Sequence, residues 1–174
     1  MGVIIVSCDK DDDAEPKGEK VTVSGDITQN TTWAAEDTIV LDGYVYVNNG
    51  VTLTIEPGTV IRGLSDTKAC LIIERGGKII ADGTQNKPIV FTSDKPVGER
   101  KPGDWAGIII CGKAPINQTG GEAEIEGGTG AVYGGTDATD NSGILRYVRI
   151  EFAGFEVTSG NEIKIGRASC RERV

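Results

Sequence analysis

The chain has 174 residues, a length that suits one domain with a sizeable core. Its net charge of −8 argues against a nucleic-acid partner, because phosphate binding draws on clustered Lys and Arg. It contains no His, so Ser-His-Asp and Cys-His catalysis and His-ligated zinc are excluded from this stretch.

Residues 1 to 13 read MGVIIVSCDKDDD. The apolar run Val3 to Val6 is far too short to cross a membrane, and too short for a complete signal-peptide core. Ile5-Val6-Ser7-Cys8 resembles the end of a bacterial lipobox, whose Cys carries the lipid. Residues 1–8 are therefore expected to be a lipoprotein-signal remnant, with Cys8 as the lipidation site. Cys8-Asp9-Lys10-Asp11-Asp12-Asp13 resembles the acidic export signal that follows the lipidated Cys in Bacteroidetes lipoproteins. That resemblance implies lipid-anchored display at the outer membrane, on the cell surface. Residues 9–20 are nearly all charged, Gly or Pro and read as a flexible tether.

A β-domain is expected over 21–163. Val21 to Val23 and Thr38 to Leu41 read as short strands in an N-terminal cap at 21–43, with Trp33 as its plug. Asp37-Thr38-Ile39 resembles a short O-glycosylation sequon, with Thr38 as acceptor. The chain then repeats itself. YVYVNNGVTLTIEPGT at 44–59 aligns with CLIIERGGKIIADGT at 70–84. Val45 falls on Leu71, Val47 on Ile73, Gly50 on Gly76, Leu53 on Ile79 and Ile55 on Ala81. A period of about 26 residues marks a solenoid, and each copy holds two β-type runs split by Gly. With 25 Gly and only 5% aromatic residues, the composition suits tight corners around a thin aliphatic core. The expected fold is all-β, a right-handed single-stranded parallel β-helix, truncated at the C-terminal end.

Two excursions interrupt the coils. The first, DKPVGERKPGD at 94–104, returns at Trp105. In its GDW motif, Asp104 and Trp105 read either as a glycan-stacking pair or as a packing anchor. The second runs from about 112 to 143 and is Gly-rich and acidic. Its Asp137, Asp140 and Asn141 are the best metal candidates, since Ca2+ takes oxygen ligands and a Gly-rich loop can curl round it. The spacing matches no EF-hand and no nonapeptide Ca2+ repeat, however, and Asx-turns at a corner explain the same residues better. No other cofactor is indicated. Segment 144–152 alternates, placing Tyr147, Arg149 and Glu151 on one face, either as a sugar-gripping or acid/base trio or as ordinary cross-strand pairing on a solvated face, and Val148, Ile150 and Phe152 toward the core. Cys70 and Cys111 are open to a disulfide, but two buried thiols fit a thin core better.

Residues 165–174, IGRASCRERV, carry no β pattern and look like a translated sequencing adapter. Residues 164–174 are accordingly expected to be non-native.

Together GVTLTIEPGTVI, PIVFTS, GDWAGIIICGKAPIN and GILRYVRIEFAG resemble a family of Bacteroidetes outer-surface lipoproteins with pectate-lyase-like β-helices. The resemblance covers about residues 21 to 163 and carries no agreed catalytic set. Two functions follow as expectations. One is a non-catalytic surface lipoprotein binding or adhering to glycan or another surface component. The other is a polysaccharide lyase or glycoside hydrolase whose site lies partly in further coils. Sparse carboxylate stacking, Glu56 over Asp82, favours the first. The partners expected are the outer membrane through the lipid, and a polysaccharide or surface protein.

Overall fold

The computed structural model describes residues 18–125 and 128–154, with the backbone of 156–158 and 161–162. Cys8, residues 9–17 of the tether and the C-terminal decamer lie outside the described residues.

Three strand positions recur along the chain, and each builds one face of a solenoid. The first coil is β1 (Lys20–Ile27) and β2 (Thr31–Trp33). The second is β3 (Thr38–Val47) and β4 (Thr52–Ile55). The third is β5 (Val60–Gly63), β6 (Cys70–Ile73) and β7 (Lys78–Asp82). The fourth begins with β8 (Ile89–Ser93) and β9 (Gly107–Ile110). It then makes a detour through β10 (Glu122–Glu124) and β11 (Val132–Gly134) and closes with β12 (Gly143–Arg146). Strand β13 (Val148–Ile150) starts a fifth. Beyond it, β14 (Glu156–Thr158) and β15 (Asn161–Glu162) pair with each other, antiparallel.

Face 1 stacks the first half of β1, the first half of β3, β5, β8 and β13. Face 2 stacks the second halves of β1 and β3, then β6 and β9. Face 3 stacks β2, β4, β7 and β12. Pairing between coils is parallel throughout, and no helix occurs among the described residues. The fold is a parallel β-helix.

The repeat read from the sequence is also the register of the sheets. Val45 lies beside Leu71 and Val47 beside Ile73. Leu53 lies beside Ile79, and Ile55 beside Ala81. Gly50 and Gly76 turn the same corner in successive coils at φ 80° and 82°, where a side chain would be strained. Gly50 N donates to Gly76 O at 2.9 Å. The inward residues Val45, Val47, Leu53, Ile55, Leu71, Ile73 and Ile79 are all buried in one core. Each such side chain contributes about 1.5–3 kcal/mol by leaving water.

Residues 21–43, expected as a cap, pair as ordinary coil strands. Val21 lies beside Ile39, and Trp33 beside Ile55. The corner of this coil is a single register shift at Gly25, whereas the third coil spends residues 64–69 on the same corner. The shorter spacing keeps the first coil from aligning with the later repeats. Trp33 does plug the core at this end, 3% exposed.

A second apolar layer lies outside face 2. Cys70, Ile72, Ile109 and Cys111 point away from the main core, yet are buried together with Ala106 and Ala131. The excursion after β9 folds back over them and brings Ile125 and Tyr133 against this layer, on which Tyr44 and Tyr46 also pack. Tyr46 Oη donates to Thr129 O at 2.8 Å. Arg75 Nη1 bonds both Glu122 Oε1 and Gly134 O, at 2.5 and 3.0 Å. Cys70 and Cys111 are free thiols. Cys70 is in register with Gly107, so Cys111 stands four residues further along the neighbouring strand. That is roughly 14 Å between Cα atoms, well beyond disulfide reach.

Candidate functional site

The GDW motif is built into the interior, which corrects the glycan-stacking reading of Trp105 and Asp104. Trp105 is fully buried and lies parallel to Phe91, with ring centroids 6.4 Å apart. Its Nε1 donates to Glu151 O at 2.8 Å. No ring face is left for a ligand. Gly63, on the coil below, leaves the space: a Cβ there would meet Trp105 Cβ at 2.8 Å.

Asp104 is 4% exposed and closes the 94–104 loop onto the coil. It accepts from Ser93 Oγ at 2.7 Å, Lys95 Nζ at 2.7 Å and Lys101 N at 2.9 Å. Burial pushes its carboxyl up; the bonds from Lys95, Lys101 and Ser93 outweigh that and hold it at about 2. It is an ionised latch whose oxygens are already engaged.

Asp137, Asp140 and Asn141 serve their own loop. Asp137 Oδ1 accepts from Thr139 N and Oγ1 at 2.9 and 2.7 Å, an Asx-turn. Asp140 Oδ2 accepts from Lys113 N at 2.8 Å, and Asn141 Oδ1 from Gly143 N at 2.8 Å. Among the described residues no three Asp, Glu, Cys or His side chains gather as metal ligands. The geometry therefore gives the calcium reading no convergent set. Thr38 is 6% exposed, so its hydroxyl is not accessible for glycosylation in the folded domain.

The segment 144–152 is not one strand. Tyr147 takes a left-handed conformation, φ 49°, and turns the chain from face 3 onto face 1. Alternation restarts after this corner, so Tyr147 does not share a strand face with Arg149 and Glu151. Phe152, at φ 57°, marks the next corner and is partly buried. Arg149 Nε and Glu151 Oε1 do come together, at 3.1 Å. Val148 packs against the core, while Ile150, in register with Phe91, remains 41% exposed.

At the corner itself Tyr147 is 55% exposed. Its backbone is fixed: Ile89 N donates to Tyr147 O at 3.0 Å, and Gly83 N to Arg146 O at 2.8 Å. A Cβ on Gly83 would stand 2.7 Å from the Tyr147 carbonyl oxygen. One residue before the corner, Arg146 makes a two-bond pair with Asp82, Nε–Oδ1 2.5 Å and Nη2–Oδ2 2.6 Å. The hydrogen bond from Arg146 holds the Asp82 carboxyl below its usual range. Sequence reasoning missed the Arg146–Asp82 pair. The 26-residue spacing that sets Glu56 over Asp82 could not reveal it, because the two excursions stretch the next step, Asp82 to Arg146, to 64 residues.

The parallel coils and this open corner define a pectate-lyase-like β-helix protein. The family model described as a pectate-lyase-like β-helix domain matches residues 25–165, and the chain belongs to that family. No curated protein and no solved structure matches it.

Proposed function

We propose that this chain is a lipid-anchored β-helix module of the outer-membrane surface that binds glycan without cleaving it. Tyr147 is its contact platform. The observation that carries the reading is the exposed Tyr147 ring on a hydrogen-bonded corner, with the Asp82–Arg146 pair before it and the Arg149–Glu151 pair after it. A rigid aromatic face suits the apolar side of a sugar ring, and the flanking ion pairs offer donors and acceptors to its hydroxyls. A preordered corner binds at a lower entropic cost. The acidic groups named above are held by structural partners, which leaves them poorly placed as catalytic acid or base.

The test is a glycan array read in parallel with a reducing-end and unsaturated-product assay, on the full chain and on Tyr147→Ala. Binding without product, lost in Tyr147→Ala, supports the reading. Product release would replace it with the lyase or hydrolase. For the anchor, Cys8 with a restored signal peptide should incorporate acyl label and place the chain within reach of protease on intact cells. Label that persists in Cys8→Ser rules out Cys8 as the acyl site.

A further inference from the structure

A short loop stands at the Tyr147 corner, and we infer that its Gln85 and Asn86 make the site selective for a neutral glycan over an acidic one. The inference rests on the glycan reading above and adds which residues choose the ligand. The same corner of three successive coils carries Gly58, the loop between β7 and β8, and Tyr147. Both feet of the loop stand on one oxygen of Tyr147. A Cβ on Gly83 would meet the Tyr147 carbonyl oxygen at 2.7 Å, and Ile89 N donates to that oxygen at 3.0 Å. The loop is also closed on itself. Thr84 N donates to Lys87 O at 3.1 Å, and Lys87 N donates to Thr84 O at 3.2 Å and to Thr84 Oγ1 at 3.0 Å. Gln85 and Asn86 are left at the tip, and both are exposed.

The chemistry of these groups suits uncharged hydroxyls. Each amide carries a carbonyl acceptor and an NH2 donor, so one side chain can accept from one hydroxyl and donate to the next. A sugar ring laid with its apolar side on Tyr147 presents its hydroxyls at the rim, where a rigid pair of amides can read them. The charges of the corner disfavour a carboxylate. Arg146 is held by Asp82 through two bonds, and Arg149 by Glu151 at 3.1 Å. Lys87 is turned the other way: its Cβ, Cγ and Cδ lie 3.6 to 3.9 Å from where a Cβ on Gly58 would stand, on the coil below. The net charge of −8 adds a background that repels acidic polymers. Reading by amides needs no counter-ion, and a buried or half-buried carboxylate without one is costly.

The experiment titrates the full chain with neutral hexose oligosaccharides and, separately, with polyuronate oligosaccharides of the same length. The neutral ligands should bind, and the polyuronates should bind about tenfold more weakly or worse. Neutral binding should change little between about 0.05 and 0.5 M salt, because no ion pair forms. Gln85→Ala and Asn86→Ala should each weaken it about two- to tenfold, the worth of one or two hydrogen bonds. Neither change touches the backbone bonds that close the loop, so thermal melts should match the parent. In NMR spectra of the labelled chain the side-chain NH2 signals of Gln85 and Asn86 should shift as ligand is added, a response that a merely structural role would not give. Lys87→Ala should leave the preference as it was. Three results overturn the inference: polyuronates bound as well as neutral ligands, neutral affinity unchanged in Gln85→Ala/Asn86→Ala, or amide signals that stay in place at saturation. Tyr147→Ala separates the two claims. If it abolishes binding while the loop variants do not, the platform stands and the loop's role falls. If the parent binds no glycan, the glycan reading falls and this inference with it.

Discussion

Gly63 has no side chain because Trp105 occupies the place where one would stand. The two residues belong to successive coils and to different faces. The indole comes in on the strand that resumes after the 94–104 loop, and it needs a bare backbone below it. Gly63→Ala should therefore cost about 1–3 kcal/mol through overpacking. Trp105→Ala should cost about 3–5 kcal/mol. In Gly63→Ala/Trp105→Ala the combined cost should fall short of the sum of the two single costs, because the added methyl then finds room. Urea midpoints of the four proteins decide this, and strict additivity would mean that the two residues do not share the space.

Leu53→Ala tests the repeat itself. Leu53 is fully buried beside Ile79, so the expected loss is about 2–5 kcal/mol. An unchanged denaturation midpoint would place Leu53 outside the core.

The Asp104 latch gives a pH signature. Its carboxyl is held at about 2, below the unfolded value. Its contribution is present above the unfolded pKa and disappears as pH falls through the folded one. Stability should accordingly drop between about pH 4 and pH 2. Asp104→Asn should be less stable than the parent at pH 7 and approach it near pH 2. Parallel curves over that range would show that Asp104 does not carry the acid limb.

The cover over face 2 should open separately from the coils. Cys70 lies beneath it, its thiol pushed up to about 12 by burial and then by Cys111. It should react slowly with iodoacetamide at pH 8. Arg75→Ala removes the tether to Glu122 and Gly134, so it should speed labelling of Cys70 and Cys111 while shifting the global midpoint little. Equal rates in parent and variant would show that Arg75 does not hold the cover down.

Gly83→Ala tests the corner. The new Cβ would press on the Tyr147 carbonyl, so glycan binding should fall even though Gly83 itself offers a ligand nothing. Undiminished binding by a folded Gly83→Ala would separate Tyr147's role from its backbone position.

The coils were legible because inward positions recur at a fixed spacing and must be aliphatic, as Val45 over Leu71 and Leu53 over Ile79 show. The site was less legible. A Trp beside an Asp reads alike whether it stacks on sugar or on Phe91, and the bare Gly63 that makes room for it has meaning only once the coils are stacked. Tyr147 was misplaced because alternation assumes a continuous strand, and a non-Gly residue at φ 49° leaves no mark in the pattern. The cover over face 2 did leave a signal. Cys70 to Ile73 is apolar without a break, and such a run means that both sides of the strand are covered.

Both long loops enter the fourth coil at corners, between β8 and β9 and between β9 and β12. The strands on either side still meet the coil below in register, Ile73 with Ile110 and Ile79 with Gly143. Corners are thus the places where this architecture accepts insertions. A lineage can lengthen, trade or delete a corner loop while every rung of the ladder stays where it was. Diversification of such a β-helix is then a matter of exchanging loops on a frame that need not be solved again.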